Sequence, residues 1–122
     1  SSGEATRAYL EEVNQTLKKS FAGISEPEIA VLSRAFNSSN FGELQKFANY
    51  AKAYKAAVAS LKTVKVPAAY AAKHVELMNI LNNTALAVSY LERAEKDPAV
   101  GLAGLAIYSK EAERMKIFNQ TP

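Results

Sequence analysis

The chain has 122 residues, of which 48% are hydrophobic, and its formal net charge at pH 7 is +3. It contains 22 alanines and one histidine, but no cysteine and no tryptophan. This length and composition predict one α-helical domain over residues 1–122 and exclude disulfide scaffolds, cysteine-ligated zinc or iron–sulfur sites and collagen-like or disordered chains.

Five helices are predicted, and local cap patterns mark where most of them begin. Residues 1–3 are expected to be a disordered or expression-derived start, followed by helices over 4–21, 26–36, 41–64, 67–95 and 98–119. Ser25 to Glu28 has the spacing of a capping box, Asn40 is a second cap, and Asp97 precedes a proline at the first helical position. Pro67 opens the fourth helix, since proline is tolerated in a first turn.

Apolar residues recur with helical spacing inside these segments. The stripes include Leu10, Val13, Leu17 and Phe21 in the first helix, Phe47 to Val64 in the third, Tyr70 to Leu91 in the fourth, and Gly101, Leu102, Leu105, Tyr108, Ala112 and Met115 in the fifth. Because the joins are short, consecutive helices should run antiparallel. We predict an all-α fold: an up-and-down bundle of three long helices plus an N-terminal helical hairpin, with Gly101 and Gly104 allowing a close helix approach.

The motifs of the common chemistries are missing from the sequence. It has no phosphate-binding Gly-x-x-x-x-Gly-Lys, no Gly-x-Gly-x-x-Gly and no Gly-x-Ser-x-Gly. A di-iron bundle needs Glu-x-x-His pairs, but the residue three before His74 is Ala71. We therefore expect a non-enzymatic protein with no catalytic residue, cofactor or metal site.

His74 lies in the apolar stripe of the fourth helix, one turn after Tyr70. A buried neutral imidazole needs one donor and one acceptor nearby, and Tyr50, Tyr54 or Tyr108 across the bundle could serve. Two interpretations stay open. In the first, His74 is a core histidine whose two ring nitrogens are both hydrogen-bonded. In the second it has a functional role, either as a polar contact in a ligand pocket shared with Tyr50, Tyr54 and Tyr70 or as part of a pH-sensitive latch.

Six lysines and no acid lie between Glu43 and Glu76, interleaved with aromatic residues. Such a pattern is typical of nucleic-acid binders. Helical phase argues against that partner, because Lys52, Lys55 and Lys62 point away from the aromatic stripe. These lysines are either a solvated face or an anion-binding stripe for lipid heads, cell-wall polymers or DNA backbone.

The fourth and fifth helices carry a second face with few charges. Its apolar residues include Tyr90 of the fourth helix and Ile107 and Phe118 of the fifth. This face is either covered by the N-terminal hairpin or forms a patch for an unknown protein partner or for self-association, with these three residues as anchors.

One further pattern concerns the spacing of residues between 66 and 108. It consists of Val66-Pro67, His74, Asn79, Asp97-Pro98, Leu105 and Tyr108. The spacing resembles that of uncharacterised exported or membrane-anchored helical-bundle proteins of candidate-phylum bacteria. The resemblance implies an extracytoplasmic or cell-envelope domain, with the cytoplasm as the alternative. The chain starts at Ser1 rather than at methionine, which indicates either a processed form or an expressed fragment and leaves open a signal peptide or membrane anchor upstream.

These features favour a non-enzymatic, extracytoplasmic helical bundle that acts through protein interaction or assembly. The alternative is a bundle that binds a small ligand or anion in a cavity lined by tyrosines and His74. A nucleic-acid binder that uses the lysine stripe ranks below both.

Overall fold

The computed structural model describes residues 2–120, in which all regular secondary structure is helical and no strand occurs. Its α-helices are α1 (Ser2–Ser20), α2 (Glu28–Asn37), α3 (Phe47–Leu61), α4 (Ala71–Glu92) and α5 (Pro98–Gln120), and two 3-10 helices cover Phe41–Lys46 and Ala68–Tyr70. The predicted all-α class is confirmed. Two of the three residues expected to be a disordered start belong to α1, and Ser1 lies outside the described residues.

The cap patterns were only partly correct. The backbone N–H of Val100 donates to Asp97 Oδ1 at 3.3 Å, so Asp97 caps α5 as predicted. The capping box at Ser25 is wrong, because Pro27 occupies the N-cap of α2 with φ −63° and ψ 140° and no side chain caps that helix. The predicted helices at 41 and 67 begin with 3-10 turns, a common way for a helix to start.

Helix α4 packs against α3 on one side and α5 on the other, and these are the most extensive helix contacts in the fold. The contact with α5 depends on two glycines. A Cβ added at Gly101 would lie 2.4 Å from Ala94 Cβ, and one added at Gly104 would lie 2.8 Å from the Ala87 carbonyl oxygen. The predicted close approach at these two glycines is confirmed.

The core consists of two clusters of buried side chains. The first cluster joins α2, the first 3-10 helix, the start of α3 and the end of α4: Val31, Leu32, Ala35, Leu44, Phe47, Tyr50, Ala51, Val88 and Leu91. The second joins α1, the end of α3 and the first half of α4: Tyr9, Ala57, Leu61, Val64, Leu77 and Leu81. Tyr54 packs against both clusters. The region around Tyr54 is therefore the seam between them.

The predicted stripes were wrong at Leu10, Leu102 and Ala112, which are exposed. In α1 the buried residue is Tyr9, whereas Leu10 is half exposed. In α5, Leu102 is 67% exposed although its neighbour Gly101 is buried. The surface of Leu102 contributes to one of the sites described below.

Across the described helices, none has the length and apolarity needed to cross a membrane.

Candidate functional site

A buried carboxylate lies at the seam between the two core clusters. Glu28 is the first residue of α2, and the Tyr54 hydroxyl of α3 donates to its Oε1 at 2.5 Å. Its other oxygen, Oε2, is buried and has no hydrogen-bond partner. Burial raises the pKa of Glu28, and the hydroxyls of Tyr54 and Tyr108 offset part of that rise. The carboxylate is thus held away from water with one oxygen unpaired.

The two tyrosines beside Glu28 keep their protons at neutral pH. Burial and then the Glu28 carboxylate raise the pKa of Tyr108 to about 12. The same two causes raise the pKa of Tyr54 further. Both tyrosines are therefore neutral neighbours of Glu28, with Tyr54 as the donor to Oε1, and lend the carboxylate no positive charge.

Two open cavities meet at these three residues. The loop-side cavity, about 380 Å³, is lined by Phe21, Ile24, Glu26, Pro27, Glu28, Ile29, Tyr50, Tyr54 and Tyr108. The α5-side cavity, about 240 Å³, is lined by Glu28, Tyr54, Ile80, Thr84, Tyr108, Glu111, Ala112 and Met115. Glu28, Tyr54 and Tyr108 line both cavities.

A second carboxylate lines the α5-side cavity, but it is already neutralised. Glu111 is only 2% exposed, and its Oε1 accepts from Arg114 Nη1 at 2.8 Å. Over residues 2–120 no group of three or more histidine, aspartate or glutamate side chains could hold a metal ion.

Sequence reasoning missed both of these acids. The sequence places Glu28 in a capping box at a helix start, a role that involves only near neighbours. In the structure its carboxylate instead binds Tyr54, 26 residues away. Glu111 could have been found, because it follows Tyr108 by three residues and precedes Met115 by four, and so lies on the apolar side of α5.

His74 is buried and both of its ring nitrogens have partners. Nε2 lies 2.9 Å from the Leu61 carbonyl oxygen, which only accepts, so Nε2 carries the proton. In the neutral ring Nδ1 then accepts from the Tyr9 hydroxyl at 2.7 Å. The partner is Tyr9 rather than Tyr50, Tyr54 or Tyr108, because α1 packs over the end of α3 and the start of α4.

The four residues of the proposed Tyr/His pocket have different hydrogen-bond and ring partners. Tyr70 stacks near Tyr9, with ring centroids 5.3 Å apart, on the His74 side. Tyr50 donates to the Glu26 carbonyl oxygen at 2.6 Å, and Tyr54 binds Glu28. Tyr50 and Tyr54 therefore bond to the segment at the start of α2, whereas His74 bonds to Tyr9 of α1.

The anchors of the predicted patch are half-buried by their own chain. Phe118 packs against the second cluster, and Lys73 Nζ lies 4.8 Å from its ring centroid. Arg93 lies 5.9 Å from the Tyr90 ring, whose Cβ faces Gly104. Ile107 is also half-buried. Much of the surface of these three residues is used inside the fold.

The lysines and aromatic residues of α3 face opposite ways. Lys52, Lys55 and Lys62 are exposed, whereas Phe47 and Tyr50 are buried in the first cluster. No aromatic ring of this stripe is therefore placed to stack on bases while these lysines hold phosphates.

An apolar groove, about 290 Å³, lies at the end of the molecule where α2 and α4 end and α5 begins. It is lined by Phe36, Phe41, Ala94, Glu95, Pro98, Gly101 and Leu102. Phe36 and Phe41 pack edge to face, 5.5 Å apart, and are 41% and 37% exposed. Together with Leu102 they leave an exposed apolar rim.

Little in the sequence indicates this groove. Phe36 and Phe41 flank a polar turn, so neither was placed on a helix face. Ser39, with φ 52°, takes the left-handed conformation within that turn, between the two aromatic residues. Two aromatic residues flanking a short polar turn were the available signal.

A comparison of the chain with protein-family models, curated proteins and solved structures finds no match.

Proposed function

We propose that this protein is a non-enzymatic helical domain that assembles through its apolar groove, with a second copy of the chain as the occupant. In this proposal α3, α4 and α5 act as an up-and-down bundle, with α1 against α3 and α2 beside the first 3-10 helix. The observation that carries the proposal is the exposed Leu102 on the rim of a groove lined by Phe36 and Phe41.

Burial of this rim supplies the driving force. Leu102 is 67% exposed, and full burial of a leucine side chain contributes about 1.5–3 kcal/mol. The partly exposed rings of Phe36 and Phe41 would lose water in the same contact. An apolar rim of this kind, with one charged residue in its lining, is typical of an interaction surface.

A second copy is the proposed occupant because the groove and an exposed leucine lie side by side on one surface. A two-fold axis near Leu102 would place the leucine of each copy against the groove of the other, so each favourable contact occurs twice. The glutamate in the lining, Glu95, is exposed and can stay hydrated at the edge of the contact.

The proposal keeps the predicted class of function but moves the contact. Tyr90, Ile107 and Phe118 are replaced as anchors by Phe36, Phe41 and Leu102, which offer more free apolar surface. An extracytoplasmic location belongs to the proposal as well, and it rests on the sequence resemblance alone.

Sedimentation equilibrium tests the assembly. We expect the wild type to dimerise reversibly in the micromolar range and Leu102→Lys to stay monomeric, because the lysine would bury a charge in the contact. The control is Leu10→Lys, which makes the same change at an exposed leucine of α1 and should dimerise like the wild type. A wild type that stays monomeric up to millimolar concentration, or equal dimerisation of the two variants, would overturn the proposal.

A further inference from the structure

Helix α3 carries three lysines whose charge is not balanced inside the fold. Lys52, Lys55 and Lys62 are exposed, and over residues 2–120 none of them forms an ion pair. The sequence contains no aspartate or glutamate between Glu43 and Glu76. These three residues, the lysine stripe, therefore present positive charge alone to the surroundings.

Charged groups elsewhere in the fold are compensated. Arg34 donates to Glu26 at 2.7 Å and to Glu43 at 2.8 Å. Arg114 donates to Glu111 at 2.8 Å. Helix α1, which packs against α3, has three acidic and three basic residues, so its charges cancel. The excess of positive charge is thus concentrated on the lysine stripe.

The lysine stripe is narrow and runs along the helix axis. With 3.6 residues per turn, its three Cα atoms fall within about 80° of the helix surface and extend about 15 Å along the axis. Ala59 lies on the same side and is exposed, and its small side chain leaves room for a partner to lie flat. Within α3 no large apolar side chain is exposed. A contact at this surface is therefore electrostatic and has the shape of a line.

These properties favour a linear chain of phosphates over other anionic partners. A lysine ammonium binds a phosphate as a point charge and needs no bidentate geometry. At the charge spacing of a DNA strand, about 3.4 Å, a length of about 15 Å faces about four phosphates, enough for all three lysines. Bases would add nothing, because Phe47 and Tyr50 are buried and cannot stack on them. A membrane is wider than the stripe, and α3 offers no large apolar side chain to insert into it.

We infer that the lysine stripe of α3 binds a flexible, linear phosphate polymer through the charge of its backbone. Each phosphate that a lysine neutralises releases a counterion, so the salt dependence of the affinity counts the contacts. For a single flexible strand the slope of log K against log salt is about −0.7 per contact, which gives about −2 for three lysines. The stripe shares no residue with the apolar groove, so the inference does not depend on the proposed assembly.

The probe is long-chain inorganic polyphosphate, a linear chain of phosphates with neither bases nor lipid. Titration of the end-labelled polymer with the protein at neutral pH, followed by fluorescence anisotropy, measures the affinity at each salt concentration. For the wild type we expect the affinity to fall about 30-fold between about 10 and 50 mM NaCl. Lys55→Gln removes one contact and should reduce this fall to about tenfold. Simultaneous change of Lys52, Lys55 and Lys62 to glutamine should abolish the salt-sensitive binding.

A matched control separates the position of the lysines from the total charge. It changes Lys96, Lys110 and Lys116, three exposed lysines outside α3, to glutamine. Both triple variants reduce the formal net charge of the chain from +3 to 0. The control should keep the slope of about −2. Because all six lysines are exposed, both variants should fold like the wild type, which circular dichroism checks.

The inference would be overturned if polyphosphate did not bind at the lowest salt concentration, or if the two triple variants lost affinity equally. Two further probes identify the wrong partner. Tighter binding of single-stranded DNA with the same number of charges would mean that bases are contacted. Tighter binding of vesicles of phosphatidylserine and phosphatidylcholine would make the partner a membrane. Either result would contradict recognition of a bare phosphate chain.

Discussion

Replacement of Gly104 by alanine tests whether the close contact of α4 and α5 holds the fold together. The added Cβ would lie 2.7 Å from Tyr90 Cβ, 2.8 Å from the Ala87 carbonyl oxygen and 3.0 Å from the Leu91 backbone nitrogen. Two of these three atoms belong to the backbone of α4 and cannot rotate away. Helix α5 must therefore shift outward by roughly 0.5–1 Å to restore ordinary contacts.

Helix propensity and packing predict opposite signs for this substitution. Alanine favours a helix interior over glycine by about 1 kcal/mol. Overpacking of a tight contact costs about 1–3 kcal/mol, and the rigid backbone neighbours place this case at the upper end. We expect a net loss of about 2 kcal/mol in the free energy of unfolding. For 122 residues this corresponds to a fall in Tm of about 8 °C.

Urea denaturation followed by circular dichroism measures the change, and the neighbouring position supplies the control. Ala103→Gly alters an exposed site of the same helix and should cost only the propensity difference, about 1 kcal/mol. If Gly104→Ala is as stable as the wild type, or more stable, then α4 and α5 are not as close as described and the reasoning is refuted.

Three further predictions concern polar groups. Because the pKa of Glu28 is raised above its ordinary value of 4.5, the folded protein binds that proton more tightly than the unfolded chain. Stability of the wild type should therefore fall relative to Glu28→Gln as pH rises from 4.5 toward neutrality. Tyr54 and Tyr108, which face Glu28, stay protonated in this range because their pKa values are raised, so parallel profiles in urea would contradict the burial of Glu28. Tyr9→Phe leaves Nδ1 of His74 without its donor and should cost about 1–3 kcal/mol, while Tyr70→Phe, which removes a hydroxyl without that contact, should cost about 0.5 kcal/mol or less; equal losses in thermal unfolding would argue against the hydrogen bond. Lys52, Lys55 and Lys62 are exposed, so changing all three to glutamine should leave Tm within about 2 °C of the wild type and abolish any salt-sensitive retention on heparin. A large loss of Tm would mean that these side chains support the fold.

The sequence was sufficient for features that depend on near neighbours. The cap at Asp97 requires only the next three residues, and the lysines of α3 separate from its aromatics by helical phase alone. Gly101 and Gly104 were recognised because small residues spaced by three permit close packing. These contacts are local, or follow from the periodicity of one helix.

The features that sequence reasoning missed depend on distant residues. Glu28 has the spacing of a cap, yet its carboxylate binds Tyr54, because burial beside α3 gives it a stronger donor than a helix end in water. Tyr9 rather than Leu10 is buried, since the hydroxyl of Tyr9 satisfies His74, 65 residues away. Periodicity cannot distinguish two adjacent positions such as Tyr9 and Leu10, but the hydrogen bond to His74 in the core selects Tyr9 as the buried residue.

The groove was missed for a third reason. Its walls come from the ends of α2 and α4 and the start of α5, and the exposed Leu102 has the spacing of a core residue. Periodicity identifies the apolar side of a helix but does not say where a neighbouring helix stops. Where α2 and α4 end, Leu102 is left uncovered.

The distance between spin labels in the assembled protein tests the central claim, assembly through the groove, most directly. The chain has no cysteine, so a single introduced cysteine carries the label. Ala99→Cys places it three residues before Leu102, and Thr63→Cys places it at the other end of α4, where the Leu61 carbonyl meets His74. Helix α4 has 22 residues and is about 33 Å long.

In a dimer joined at the groove, the two labels at position 99 should be less than about 35 Å apart, and the two at position 63 more than about 60 Å apart, nearly twice the length of α4. Both signals should weaken on dilution. A short distance at position 63, or no measurable distance at position 99 at concentrations where the protein is dimeric, would contradict assembly through this groove.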